Sequence, residues 1–387
     1  MQDDGLEEFR DELRDWLQAN CPYEMRDGAG AEENICWGGK NWTFQSDAQR
    51  IWLERMAARG LTVPTWPADC GGAGLNRAQE KIFLEEMARI GALVPLQSFG
   101  IWMLGPALLQ FGTDEQKQHY LPPVARGEVR WCQGYSEPGA GSDLASVQTK
   151  CEDKGDHWLV NGQKVWTSYA DKADWIFALL RSDRDAPKHK GISFVLIDMN
   201  SPGVSTRPIQ LISGVSPFCE TFFDDVSVPK GQVVGTVNRG WDVAKYLLTH
   251  EREMISGGAG GSAGGGGRAL GAVLNDEEAG LSDVVLHSDA MRAEVDSLAF
   301  ALTLERYKDM AESGQGVGDA SAMLKYMGTE MNKRRHELVM SAGGSNALAW
   351  EDARPADWLR TKANSIEGGT SEVMLSIISK RILGLPG

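Results

Sequence analysis

The chain has 387 residues, 39 basic against 54 acidic side chains for a formal charge of −15, and 42% hydrophobic residues. That length exceeds one ordinary core and predicts two or three domains, while the apolar share excludes wholesale disorder. The acidic excess argues against a nucleic-acid surface, which needs clustered Lys and Arg.

In chain order, the acidic N-terminus from Met1 to Glu8 has no apolar h-region. No secretory or transit peptide is expected there, and a cytoplasmic location is expected. Leu6, Phe9, Leu13 and Leu17 recur at helical spacing, as do Ile82, Phe83, Met87 and Ile90, which predicts a helical domain over 1–128. The stretch from Ile90 to Thr113 carries no charge and is long enough to span a bilayer, but Pro95, Pro106 and its glycines break it into short buried helices. No membrane span is expected.

Between 129 and 237 the texture turns to short β-rich runs: Trp158-Leu-Val, Lys164-Val-Trp-Thr, Trp175-Ile-Phe-Ala-Leu-Leu, Ile192-Ser-Phe-Val-Leu-Ile and Thr221-Phe-Phe. Asn161-Gly162 between the first two predicts a type I′ hairpin turn, in which both central residues have positive φ. A small antiparallel β domain is expected. Helical periodicity returns after Trp241 and fills 238–387, giving an α–β–α order of class α+β. A glycine-rich block, Gly257 to Gly267, interrupts this last region and by composition alone reads as a linker. The six cysteines are scattered without a CxxC pair or a Cys/His cluster, so buried thiols are expected and no metal site.

Three features carry chemistry. On the helix after Gly240, Glu251 falls on the apolar stripe of Val243, Leu247, Met254 and Ile255. Its stem could pack there while its head reaches solvent, Arg252 or Arg334. Alternatively, burial raises its pKa until it serves as a general base near neutral pH. The second feature is Gly134-Tyr-Ser-Glu-Pro-Gly-Ala-Gly-Ser-Asp143, whose glycines and hydroxyls can admit an anionic or heteroaromatic group. It is neither a P-loop nor a GxGxxG turn. The third is Val165-Trp166-Thr167-Ser168, where Trp166 taken alone reads as core.

Taken together, Trp131-Cys-Gln-Gly-Tyr-Ser-Glu-Pro-Gly-Ala-Gly-Ser-Asp143, Asn161-Gly-Gln-Lys-Val-Trp-Thr-Ser168, Gly112-Thr-Asp-Glu-Gln-Lys117, Phe223-Asp-Asp-Val-Ser-Val-Pro229 and Ile366-Glu-Gly-Gly-Thr-Ser371 resemble the acyl-CoA dehydrogenase family over nearly the whole chain. The resemblance implies an N-terminal helical domain, a central antiparallel barrel-like β domain and a C-terminal four-helix bundle. It also implies FAD as cofactor and α,β-dehydrogenation of an acyl-CoA to the trans-2-enoyl-CoA, with electron-transferring flavoprotein as acceptor.

Residue by residue, Gln133, Gly134, Tyr135, Ser136, Gly141 and Ser142 match the family's flavin-binding loop, with Ser142 also beside the thioester arm. Trp166 matches the aromatic cover of the flavin, Thr167 adjoins it, and Ser168 matches a hydroxyl near N5. Thr370 and Glu372 match cofactor positions, and Arg252 a substrate position. The family carries its base either before the Gly-Thr of a C-terminal motif, where this chain has Gly368, or before an Arg on the helix opening the C-terminal domain. Glu251-Arg252 matches the second pattern, so Glu251 is assigned as base with Glu367 as competitor. The amide of Gly368 matches one half of an oxyanion hole for the thioester carbonyl.

The chain departs from typical homotetrameric members by lacking an Arg-x-x-Phe around Ser282 to His287 and by placing Met340 where a Gln contacts FAD across subunits. Such departures resemble the heteromeric sterol side-chain and pimeloyl types, so a homo- or hetero-oligomer is expected. A same-fold flavin oxidase or monooxygenase, or a non-catalytic partner subunit, remains open. The resemblance also makes the glycine block the continuation of the Glu251 helix, predicted helical from Ser256 to about Ala263.

Overall fold

The computed structural model describes residues 2–26, 35–256, 270–275, 283–312, 318 and 320–386, with the side chains of 2–4, 249–256, 273, 308 and 311–312 left outside the description. The chain forms two compact units, one of Met1–Pro208 with Phe218–Ala244 and one of Ile209–Pro217 with Lys245–Gly387. The predicted helical extension beyond Ser256 lies outside the described residues.

The first unit opens with helices. On α1 (Gln2–Asn20) the predicted stripe buries Leu13 and Leu17. These pack with Trp52 and Met56 of α2 (Asp47–Ala58) and Ile82, Phe83 and Met87 of α3 (Arg77–Arg89). Helix starts are fixed by side chains that accept the unpaired amides of the first turn. Asn76 and Gln79 form a capping box on α3, and Thr113 and Gln116 form one on α5 (Asp114–Ala125). The Gly112-to-Lys117 motif is therefore a helix start. Gln116 also donates to the carbonyls of Gly231 (2.8 Å) and Val233 (2.9 Å), tying α5 to the β region. The uncharged stretch holds a π-helical turn, Gly100–Leu104, and α4, Gly105–Phe111. A Cβ at Gly105 would lie 2.0 Å from the Trp66 ring, so only glycine admits that indole.

The strands are β1 (Trp131–Gly134), β2 (Lys150–Asp153), β3 (His157–Ser168), β4 (Trp175–Arg181), β5 (Ile192–Asp198), β6 (Val204–Ile209), β7 (Phe218–Pro229) and β8 (Val233–Val234). They form one sheet in the order β6-β7-β3-β2-β4-β5-β8, with β1 paired to β4. The sheet is not purely antiparallel, because β1 runs parallel to β4, with Gln133 opposite Phe177 and Gly134 opposite Ala178.

The expected hairpin at Asn161-Gly162 is absent, and β3 runs straight through it. The reason is tertiary. The twelve residues of β3 pair along β7 on both sides of the dipeptide, and the register merely shifts between Val160 and Gly162. Asn161 and Asp225 close the irregularity with two reciprocal bonds of 2.9 Å. A Cβ at Gly162 would lie 2.8 Å from the Thr149 backbone, so the glycine serves close strand approach in a bulge.

α6, Gly240–Ser256, crosses the division at Ala244, and its stripe residues Val243 and Leu247 are buried as predicted. The second unit continues with α7 (Leu270–Asn275), α8 (Val284–Glu312), α9 (Ala320–Gly343), α10 (Ala353–Thr361) and α11 (Ser371–Ile377). Leu270, Leu274, Ala290, Leu338 and Ala342 form a core among α7, α8 and α9. Along α8, Val284, Met291, Val295, Leu298 and Leu302 are exposed.

All six cysteines are free and buried. Burial pushes the Cys36 thiol up to about 11 and that of Cys151 up to about 12. Among the described residues no helix is long and apolar enough to cross a membrane, and no group of His, Cys, Asp and Glu could hold a metal ion.

Candidate functional site

On the first unit, two chain segments meet beside the sheet. β1 delivers Gln133 and Gly134 into the loop that ends at Asp143, and β3 ends in Trp166, Thr167 and Ser168. The amide of Val165 donates to the Ser136 carbonyl at 2.9 Å. Beneath this contact Lys164 is fully buried and donates to Glu137 (2.8 Å) and to the carbonyls of Tyr135 (3.1 Å) and Leu179 (2.6 Å). The Glu137 carboxylate also accepts the amides of Gln148 (2.6 Å) and Thr149 (2.9 Å).

Burial pushes the Glu137 carboxyl up, but Lys164 and these donors outweigh it and the net shift is downward. Burial draws the Lys164 ammonium down to about 8, with Glu137 opposing part of the shift. This pair was not singled out in the sequence. The available signal was a lysine at an inward position of an alternating strand.

The pair fixes a wall of unusual residues. Trp166 has φ +60°, in the left-handed region that bulky side chains avoid, and sits where the β3–β7 register breaks between Lys164 and Thr167. Its ring is 54% exposed and meets Phe218 edge-on at 6.1 Å. The buried Oγ1 of the next residue, Thr167, and the buried Gln133 Nε2 on β1 find no hydrogen-bond partner among the described residues. Ser136 and Ser168 are half-buried, while Gly141 and Ser142 are exposed. Tyr135 is buried and meets Phe177 and Phe194 edge-on. A Cβ at Gly134 would lie 2.6 Å from Ile176, and one at Gly141 would meet nothing. An exposed aromatic face in strained backbone, flanked by orphaned polar atoms and free hydroxyls, fits a flat heteroaromatic group.

On the second unit a different apparatus orders residues 364–372. The buried Lys325 of α9 donates to the carbonyls of Asn364 (3.0 Å) and Gly369 (2.7 Å). Asn332 donates to Asn364 at 2.8 Å, and Ser371 donates to Glu330 at 2.9 Å. Gly368 and Gly369 have φ +64° and +98°. Thr370 caps α11, its hydroxyl accepting the Val373 amide at 3.2 Å, and Glu372 is exposed beside Ser376, Lys380 and Arg381. Glu367 is engaged by Arg360 (2.9 Å) and by the amide group of Asn364 (2.6 Å). Glu251 and Arg252 lie on α6, and their side chains are outside the described ones.

Comparison with known proteins supplies the family. The N-terminal, middle and C-terminal domains of acyl-CoA dehydrogenase match residues 3–128, 132–226 and 238–383. The chain is 37% identical to acyl-CoA dehydrogenase IpdE1 of Mycobacterium tuberculosis over all of this chain and 99% of that protein. It is 40% identical to acyl-CoA dehydrogenase FadE34 of the same organism over 86% of this chain, which spans 45% of that protein. Among solved structures it is similar to the Tcur3481-Tcur3483 steroid ACAD (TM-score 0.76, 28% identity, 99% of this chain and 98% of that one). It is also similar to the ChsE4-ChsE5 complex of M. tuberculosis (TM-score 0.71, 27% identity, 99% and 98%). The chain belongs to the acyl-CoA dehydrogenase family, oxidoreductases acting on acyl-CoA whose members are flavoproteins.

Proposed function

We propose that the chain binds FAD and converts an acyl-CoA thioester to its trans-2-enoyl-CoA, with Glu251 as the α-proton acceptor. The observation that carries the cofactor assignment is the exposed, left-handed Trp166 next to Thr167, whose Oγ1 is unpartnered, as is Gln133 Nε2 on β1. Ser136, Ser168 and the Gln133-to-Ser142 loop would hold the isoalloxazine, with Trp166 covering one face. Thr370 and Glu372 would contribute further flavin contacts, and Ser142 and Arg252 contacts to the substrate. When bound, FAD supplies the acceptor for the hydride that leaves the β-carbon.

The remaining work falls to side chains and amides of the chain. Glu251 takes the α-proton, and the Gly368 amide donates to the thioester oxygen as negative charge builds there. Lys325, by holding the carbonyls of Asn364 and Gly369, keeps that amide in place. The engagement of Glu367 with Arg360 and Asn364 supports Glu251 over Glu367 as base. We further assign residues 1–128, 129–237 and 238–387 as its three domains, electron-transferring flavoprotein as the electron acceptor, and an oligomer with a second copy or a homologous chain. The apolar stripe exposed on α8 supports the oligomer. Similarity to a steroid ACAD supports a bulky acyl group.

Anaerobic flavin bleaching tests this. Glu251→Gln should stay yellow yet lose bleaching by ~10³-fold or more, while Glu367→Gln bleaches normally. The reverse outcome would move the base to Glu367.

A further inference from the structure

Ahead of β1, the Arg130 side chain is in an unusual setting. The residue is only 5% exposed. Its guanidinium carbon lies 5.0 Å from the ring centre of Trp37 and 5.0 Å from that of Tyr169, and the two ring centres are 5.1 Å apart. The three centres make a near-equilateral triangle, so both rings cover the guanidinium from one side. No acceptor or carboxylate pairs with its N–H groups among the described residues. Asp174, one nearby carboxylate, accepts the backbone amides of Arg130 (2.8 Å) and Lys40 (3.1 Å). Asp171, another, accepts from the Cys219 thiol at 3.5 Å. Cation–π contact offsets part of the burial, but it does not use the in-plane donors.

Two features show that the chain is built around this group. Tyr169 has φ +51°, a second left-handed non-glycine residue three positions after Trp166. Gly39, at φ +108°, passes so close that a Cβ there would lie 2.8 Å from the Arg130 Cβ. Phe99 and Trp102 extend the aromatic wall, at 6.3 and 5.9 Å from Trp37. The cluster adjoins the proposed flavin wall along the chain, three residues before Gln133 and one after Ser168.

We propose that Arg130, covered by Trp37 and Tyr169, is a carboxylate-binding site, and that it takes a carboxylate at the end of the acyl group remote from the thioester. A guanidinium presents paired N–H donors in a plane, the geometry a carboxylate matches with two parallel bonds. The half-buried rings of Phe99 and Trp102 offer apolar surface to the body of such an acid. The second clause rests on the dehydrogenation proposed above; the first does not.

The experiment compares acyl-CoA esters that differ only at the far end: glutaryl-, adipoyl-, suberoyl- and sebacoyl-CoA against their methyl-ended counterparts. Anaerobic bleaching of the holoprotein, given as kcat/KM for the reductive step, should favour at least one carboxyl-ended ester by ~10-fold or more, and Arg130→Gln should lower that ratio by ~30-fold. Arg130→Lys, which keeps charge but not the planar fork, should recover part of it. Absence of preference at every chain length, or a ratio unchanged within ~3-fold in Arg130→Gln, overturns the proposal.

If no ester bleaches the flavin, the dehydrogenation has failed and the site is judged on free adipate. Adipate quenching of tryptophan fluorescence in the wild type but not in Arg130→Gln upholds a carboxylate site, and equal response in both rejects it. Should Arg130→Gln not fold, Arg130→Met, which keeps the stem beneath the rings and removes the donors, replaces it in both comparisons with the same criteria.

Discussion

Residues 133–142 on the first unit and 364–370 on the second are both ordered by a buried lysine, but with different acceptors. Lys164 meets the Glu137 carboxylate and two carbonyls, whereas Lys325 donates to two carbonyls of the segment it fixes. An ion pair taken out of water is conditional on both members, since loss of one leaves an uncompensated charge. Loss of Lys325 takes the donor from two carbonyls and a positive charge from the neighbourhood of Glu330, but Glu330 keeps its pair with Lys333 at 3.0 Å. The first segment should therefore fail more steeply than the second.

The largest effect is expected at Glu137→Ala, which should lower stability to urea by ~3–5 kcal/mol because it strands the Lys164 charge. Combining it with Lys164→Met should return part of that loss; equal losses in single and double variants would show that the pair is not the anchor. The pair also has a pH signature. Lys164 falls from 10.5 to about 8 in the folded chain. Between those values the unfolded chain binds more protons, so stability should rise with pH across that window, and Lys164→Met should remove this component.

Lys325→Met should cost a smaller ~1–3 kcal/mol in the same urea titration, from two carbonyls left without their donor. It should slow bleaching without loss of bound flavin. Equal loss of flavin and rate would place its effect on folding alone.

Trp166→Gly should change stability the other way. Relief of the left-handed backbone should stabilise the flavin-free chain by ~1 kcal/mol, while loss of the ring lowers flavin affinity by ~10-fold. Both are read by thermal melts with and without added FAD. The smallest effect belongs to Glu367→Gln, whose pair with Arg360 is about one-third exposed (34% and 36%). A loss of ~0.5 kcal/mol by chemical denaturation is expected there.

The same contrast marks what was legible before the structure. Stripes such as Leu13 and Leu17, or Val243 and Leu247, were readable because helical periodicity and burial coincide. The Asn161-Gly162 dipeptide does not turn, because its signal is local, while the ladder of β3 on β7 extends past it in both directions. Trp166 could be picked out as a residue, but its positive φ depends on a register break contributed by a strand more than fifty residues away. Lys164, Glu137, Lys325 and Arg130 escaped notice because charged residues default to the surface, and only tertiary contacts show where each charge is placed. Motif matching picks out Gln133, Ser136 and Ser168 as residues, yet gives no hint of the Lys164–Glu137 ion pair.

The six buried cysteines have a practical consequence. Their thiols are shielded, and Cys132, Cys36 and Cys151 are all pushed above the ordinary thiol range. At neutral pH they offer little thiolate to an alkylating probe, so the native chain is a silent background for labelling. A single cysteine introduced at an exposed position of α8, such as Val295, could carry a dye or spin label without removal of any natural thiol, and would report directly on what approaches that helix in solution.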